Sequence, residues 1–190
     1  MTHSANASGK PACRRLAALM VCALASLSFV GAQAAEQSLS PIGSFGTIRF
    51  SGEHCDGYSI DLWRSGRKLL GLIQYCAGLA DTRSVGLINE ISAEGPAEAI
   101  AFKAKLTTGM DYIVGGTEAP SQDLWSFRGT VHDGVLAGAL SQTDQLYPQR
   151  PPRILKLRLR RRNKALDTFR SEQDWTSWAD GVLLNHGPKW

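Results

Sequence analysis

The sequence predicts an all-β protein: an antiparallel meander of about eight strands that closes as a small barrel or folds as a sandwich, with a C-terminal amphipathic helix packed against it. Three observations predict this. From Phe45 to about Arg162 the apolar residues recur with a period of two rather than 3.6. Turn-forming dipeptides, Ser65-Gly66 and Asp133-Gly134 among them, punctuate that stretch at short intervals. After Arg162 the period becomes helical.

Residues 1–34 read as a cleaved secretory signal peptide rather than as part of the fold. Lys10, Arg14 and Arg15 supply positive charge, and no acidic residue precedes Glu36. Residues 16–31 are almost wholly apolar, and Ala32-Gln33-Ala34 is a small-x-small site for cleavage before Ala35. That apolar core is shorter than the ~20 residues a membrane span needs, so the membrane is expected to matter only during export. Cys22 follows Leu19-Met20-Val21, without the small residue that a lipid-attachment signal places before its cysteine. The protein is therefore expected to be exported, to the periplasm or beyond. Its β-domain is expected over residues 35–164 and its helix and tail over 165–190.

Removal of the signal changes the charge. The full chain of 190 residues carries a formal +4; residues 35–190 keep 18 of its 21 Lys and Arg and all 17 Asp and Glu, leaving +1. The remainder is uneven: residues 150–170 hold nine basic groups and one acidic group, while residues 35–149 are net acidic. The two cysteines left are Cys55 and Cys76, and in an exported chain they are expected to form a disulfide. A metal site built on His54, Cys55 and Cys76 would lack a short-spaced ligand pair such as C-x-x-C, so neither a metal nor another cofactor is expected.

The first hairpin runs from Tyr58 to Cys76. With Ser65-Gly66 as its two-residue turn, Tyr58 faces Ile73, Ile60 faces Gly71 and Leu62 faces Leu69 on one apolar face. The same register puts Cys55 opposite Cys76 in a non-hydrogen-bonded pair, where side chains approach most closely. Asp61 and Trp63 fall on the opposite face. The second hairpin turns at Asp133-Gly134, one of the strongest local hairpin signals, and pairs Val131 with Leu136, Gly129 with Gly138 and Phe127 with Leu140. Its facing glycines leave a shallow spot that another side chain or a ligand can approach. Asp61-Leu62-Trp63 recurs as Asp123-Leu124-Trp125, a match short enough to be convergent hairpin chemistry rather than duplication. Further strands are expected at 47–51, 85–91, 99–106 and 154–161. Last, Ser171-Glu-Gln-Asp174 reads as a helix N-cap with an acid at the third position, followed by Trp175, Trp178, Ala179, Val182 and Leu183 as one apolar stripe.

Catalytic constellations are scarce. Beyond the signal the chain has only His54, His132 and His186, and neither a G-x-S-x-G elbow nor an H-E-x-x-H helix occurs. The only carboxylate pair that symmetry suggests is Asp61 with Asp123. Candidate binding residues are Asp61 and Trp63 on the outer face of the first hairpin and Met110, Tyr112 and Tyr147 on the long connections 107–122 and 142–153. Arg158 and Arg160 are candidates on the basic strand, whose alternation sets Leu155, Leu157 and Leu159 against Lys156, Arg158 and Arg160. The plan of export signal, β-barrel and one disulfide resembles that of the small periplasmic inhibitors of lysozyme in architecture alone. The G-x-W of lipocalins is absent where Gly46-Thr47-Ile48 stands. The expected function is that of an exported, non-enzymatic β-barrel binding either a protein partner with an acidic surface, as an inhibitor or immunity factor does, or a small apolar ligand. The alternatives are a carboxylate-dependent envelope hydrolase and a structural envelope component. Export separates the chain from nucleic acid, which is not an expected partner.

Overall fold

In the computed structural model, residues 39–66, 68–92, 99–113 and 115–190 are described, all within one compact unit. Residues 1–34, expected to be a signal peptide, lie outside them. The strands are β1 (Ser40–Gly46), β2 (Arg49–Ser51), β3 (His54–Ser65), β4 (Lys68–Leu79), β5 (Ser84–Ser92), β6 (Ala99–Leu106), β7 (Met110–Ile113), β8 (Thr117–Pro120), β9 (Asp123–His132), β10 (Val135–Asp144) and β11 (Arg153–Arg160); the α-helix α1 (Glu172–His186) follows. Eight of these strands form one antiparallel path, β1-β3-β4-β5-β6-β9-β10-β11, with β2 added beside β3. The path curls into a half-barrel. Its ends meet where Phe45 bridges Arg161 and the Arg162 N–H donates to the Ser44 carbonyl at 2.7 Å.

The concave side is a filled core. Phe45, Ile60, Leu62, Ile73, Phe127 and Leu140 are fully buried there, and the half-buried ring of Tyr58 packs against them. A second layer forms on the convex side, where Trp175 and Ala179 of α1 cover Trp63, Leu72 and Val85. The period of two along β3 produces both layers: even-numbered Ile60 and Leu62 face the core, odd-numbered Asp61 and Trp63 face the helix.

The second hairpin has the expected register, Val131 with Leu136, Gly129 with Gly138 and Phe127 with Leu140. Asp133 (φ 48°) and Gly134 (φ 71°) both take the left-handed backbone that a tight hairpin turn requires. The shallow spot over its glycines is occupied by the Phe127 ring, whose Cζ lies 2.6 Å from where a Cβ at Gly129 would stand.

The first hairpin is shifted by two residues from the expected register. Ser65 pairs with Lys68, Ile60 with Ile73 and Leu62 with Gly71. A shift of two keeps every side chain on its predicted face. It is favoured because it places Tyr58 beside Tyr75, with ring centroids 5.2 Å apart, and gives Leu62 the room left by the missing side chain of Gly71. Cys55 then faces Gly78 and Cys76 faces Gly57. The cysteines are diagonal neighbours, yet they are bonded, with Cα atoms 5.6 Å apart. Gly57 (φ 117°) and Gly78 (φ 137°) supply the backbone twist that closes the diagonal.

Two further departures have local causes. Strand β1 is absent from the sequence prediction, since Pro41, Gly43 and Gly46 read as punctuation and a bulge between Pro41 and Gly43 breaks the alternation. The connection 107–122, expected to be a loop, contains the β7–β8 hairpin. The two Asp-Leu-Trp triplets are unrelated in role: Trp63 faces the helix and Trp125 the core. The helix starts as expected, with the Asp174 N–H donating to the Ser171 side chain at 3.1 Å.

Candidate functional site

Asp61 lies in the middle of β3, on the convex face, at 2 % exposure. A buried carboxylate needs hydrogen-bond donors or a counter-charge, and Asp61 has both. Ser44 Oγ on the neighbouring strand donates to its Oδ1 at 2.6 Å, Ser59 Oγ lies 3.4 Å from the same oxygen, and Lys164 Nζ approaches Oδ2 at 3.4 Å. Sequence reading missed Ser44 and Lys164, which are 17 and 103 residues from Asp61 and carry no local signal.

Beside Asp61 a cleft of about 330 Å³ opens between α1 and the sheet. Trp178 and Val182 of the helix form one wall; Leu72, Gln74 and the Cys55–Cys76 disulfide form the floor. Arg83, Arg162 and Lys164 stand at its margin, with Phe50 at the mouth at 59 % exposure. Lys164 is paired with Asp61, and among the described residues no carboxylate pairs with Arg83 or Arg162.

Trp63, the second candidate on this face, is not available to a ligand. It is 1 % exposed, its rings pack edge-on against Phe169, Trp175 and Trp178, and its Nε1 donates to the Asp167 carbonyl at 2.9 Å. It docks the helix. Glu172 at the start of α1 adds an ion pair with Lys68, and that ammonium holds its carboxyl below the usual range.

Met110, Tyr112 and Tyr147 gather at one end of the half-barrel. Tyr147 Oη donates to the Tyr112 carbonyl, tying the β7–β8 hairpin to the connection after β10. The Arg150 guanidinium lies 3.9 Å over the Tyr147 ring and pairs with Asp144 at 3.0 Å, while Asp144 caps the Leu146 and Tyr147 N–H groups. The Met110 and Tyr112 side chains are exposed, at 56 % and 71 %. Asp111 between them titrates high because of desolvation first and then the nearby Asp144 and Asp123 carboxylates.

Asp123 faces the concave side with Trp125 and accepts hydrogen bonds from Ser121 Oγ at 2.6 Å and Thr108 Oγ1 at 2.8 Å. Asp61 faces the convex side, with β4, β5 and β6 between its strand and that of Asp123. The two carboxylates therefore do not share a site. Among the described residues no group of three or more His, Cys, Asp and Glu side chains comes together as a metal centre, and no helix is long and apolar enough to cross a membrane.

Arg158 and Arg160 are exposed on β11 with Arg153 and Lys156, while Leu159 is buried on the concave side and Leu155 and Leu157 are half-buried. One edge of β11 pairs with β10 along its whole length. Along Arg153–Arg160 the other edge pairs with no strand among the described residues; the bridge to Phe45 comes one residue later, at Arg161.

Fold and site together define a helix-backed antiparallel half-barrel with a filled core, a cleft of mixed polarity under the helix and a basic strand edge that pairs with no strand among the described residues. No family model matches the chain, and neither a curated protein nor a solved structure is significantly similar to it.

Proposed function

We propose that this chain is an exported, non-catalytic binding protein that docks an acidic protein segment along the free edge of β11. The observation that carries the reading is the filled concave side, where Ile73, Phe127 and Leu140 have no exposed surface, so that recognition falls to the outside of the fold. The outside offers a strand edge whose backbone N–H and C=O groups alternate outward unpaired, the requirement for adding a further strand. Lys156, Arg158 and Arg160 along it select a partner strand bearing Asp and Glu. A second copy is a poor occupant: pairing β11 with itself sets Lys156, Arg158 and Arg160 against one another, and like charges opposed across strands destabilise a sheet. Export is supported by the disulfide between Cys55 and Cys76 and by the leader-like composition of residues 1–34.

A photo-crosslinking residue at position 158, placed in the protein within the exporting cell, tests this reading. The expected result is an adduct to one partner through an acid-rich extended segment, lost when Lys156→Glu and Arg160→Glu are introduced together. An adduct that survives the charge reversal, or one formed only with another copy of the chain, overturns it.

A further inference from the structure

We propose that the cleft between α1 and the convex face of β3 and β4 is a binding site for a small amphipathic anion, a carboxylate or phosphate monoester carried on an apolar body. The site is separate from the β11 edge and stands whether or not the docking reading above holds.

The cleft is built in two halves. Its inner half is apolar: Trp178 and Val182 from the helix face Leu72 and the disulfide across the gap, and at about 330 Å³ the volume suits an apolar body of roughly ten heavy atoms. Its outer half is cationic. Asp61, the one carboxylate among the described residues that line the cleft, is paired with Ser44 and Lys164, which leaves Arg83 and Arg162 as the charges without a paired carboxylate among the described residues. Arg83 is the more telling of the two. Arg83 is half-buried, and its Nε is buried with no hydrogen-bond partner, which is uncommon for a charged donor. An anionic head between Arg83 and Arg162 supplies that charge complement while its apolar tail covers the half-buried Trp178 and Val182. A neutral ligand of the same shape gains the second contact without the first. The charge balance sets the sign: a cationic amphiphile meets the two arginines and is excluded.

Titration of the isotope-labelled, disulfide-bonded protein by two-dimensional NMR tests the assignment, with decanoate, decyl phosphate and decanol as the probes. The two anions are expected to bind saturably and to move the signals of Gln74, Trp178 and Val182, with decanol at least about tenfold weaker. Preference for decanoate over decyl phosphate, or the reverse, identifies which head the site accepts. Arg83→Met and Arg162→Met, each made alone, are expected to reduce that anion preference, the ratio of anion to decanol affinity, severalfold. Having two variants guards against one that misfolds, and the wild-type shift map needs neither. Equal affinity for decanol and the anions overturns the proposal. So do shifts confined to another part of the surface, no saturable binding below ~10 mM, or undiminished anion preference in both variants.

Discussion

Trp63 and Asp167 are 104 residues apart in the chain and joined by one hydrogen bond, from the indole Nε1 to the backbone carbonyl at 2.9 Å. The bond fixes the segment leading into α1 against the convex face of β3, and the rings of Phe169, Trp175 and Trp178 close around Trp63 at centroid distances of 5.8, 6.0 and 5.6 Å. Trp175 is as deeply buried, but its Nε1 has no partner. The pair makes a controlled comparison. Trp63→Phe and Trp175→Phe remove the same atoms from similar surroundings, but only the first removes a hydrogen bond. Urea unfolding is expected to show Trp63→Phe costing about 1–2 kcal/mol more than Trp175→Phe. Equal losses would mean that the bond contributes nothing beyond packing.

The buried carboxylate of Asp61 depends on the Ser44 hydroxyl 2.6 Å away. Ser44→Ala leaves a buried charged acceptor with one donor fewer, and is expected to cost roughly 1.5–3 kcal/mol. Asp61→Asn with Ser44→Ala is expected to cost less than the sum of the two single changes, because the serine is then no longer needed to hold a charge. Additive losses in the double-mutant cycle would remove the Ser44–Asp61 bond from the account.

Strand faces were legible in the sequence because one side of each strand is buried, and alternation records that directly. The second hairpin was legible down to single pairs, since Asp133-Gly134 permits only one turn geometry between strands so patterned. In the first hairpin the same alternation fits registers two residues apart equally well; the choice rests on Tyr58 meeting Tyr75 and Leu62 meeting Gly71, contacts that alternation does not encode. Strand β1 was hidden because its bulge at Pro41 and Gly43 interrupts the period. Of the candidate residues, Arg158 and Arg160 stand where the alternation put them, on an exposed face. Trp63 was placed on the correct face, but the helix that covers that face is contributed by residues 172–186, and nothing near Trp63 announces it. The cleft was illegible for the same reason: Asp61, Arg83, Arg162 and Trp178 come from four separate parts of the chain.

The disulfide joins residues 21 apart and closes a loop that contains the whole turn of the first hairpin. In the chain-entropy account a loop of this size stabilises the fold by about 3 kcal/mol. The Cys55→Ser and Cys76→Ser double variant is expected to unfold at correspondingly lower urea, with its far-ultraviolet circular dichroism unchanged, since the β3–β4 ladder has twelve residue pairs besides the bond to hold its register. A collapse of the spectrum in the absence of denaturant would show that the bond specifies the hairpin as well as stabilising it.

Asp111 gives a pH-dependent prediction. Desolvation and the charges of Asp144 and Asp123 raise its pKa in the folded state, with Arg150 offsetting part of the effect. A carboxyl whose folded pKa lies above its unfolded value binds protons more readily in the native state, so its ionised form weakens the fold at neutral pH and the penalty fades on acidification through the folded value. Asp111→Asn is therefore expected to melt higher than the parent protein at neutral pH, and the difference between the two Tm values is expected to shrink as the pH falls toward the ordinary carboxylate range. A difference that grows on acidification would reverse the assigned sign.

Three glycines, placed differently, are expected to respond in opposite directions to the same substitution. Gly129 and Gly138 face each other in the second hairpin; a Cβ on Gly129 would overlap the Ala137 carbonyl, and one on Gly138 would stand 2.6 Å from the Gly129 Cα and 2.7 Å from Phe127 Cζ. Backbone cannot yield as a flexible side chain does, so either alanine must push the two strands apart or evict the Phe127 ring, an overpacking cost of about 1–3 kcal/mol or more. Gly181 sits inside α1 with nothing within 4 Å of a Cβ placed there. Alanine at that position meets no clash, restricts the unfolded chain and favours the helix, with an expected gain of roughly 0.5–1 kcal/mol. Thermal melts of Gly129→Ala, Gly138→Ala and Gly181→Ala check all three, and the order matters more than the sizes. If Gly138→Ala melts at or above the parent protein, the close facing of β9 and β10 at Gly129 and Gly138 is wrong, and with it the position of the Phe127 ring that fills the concave side.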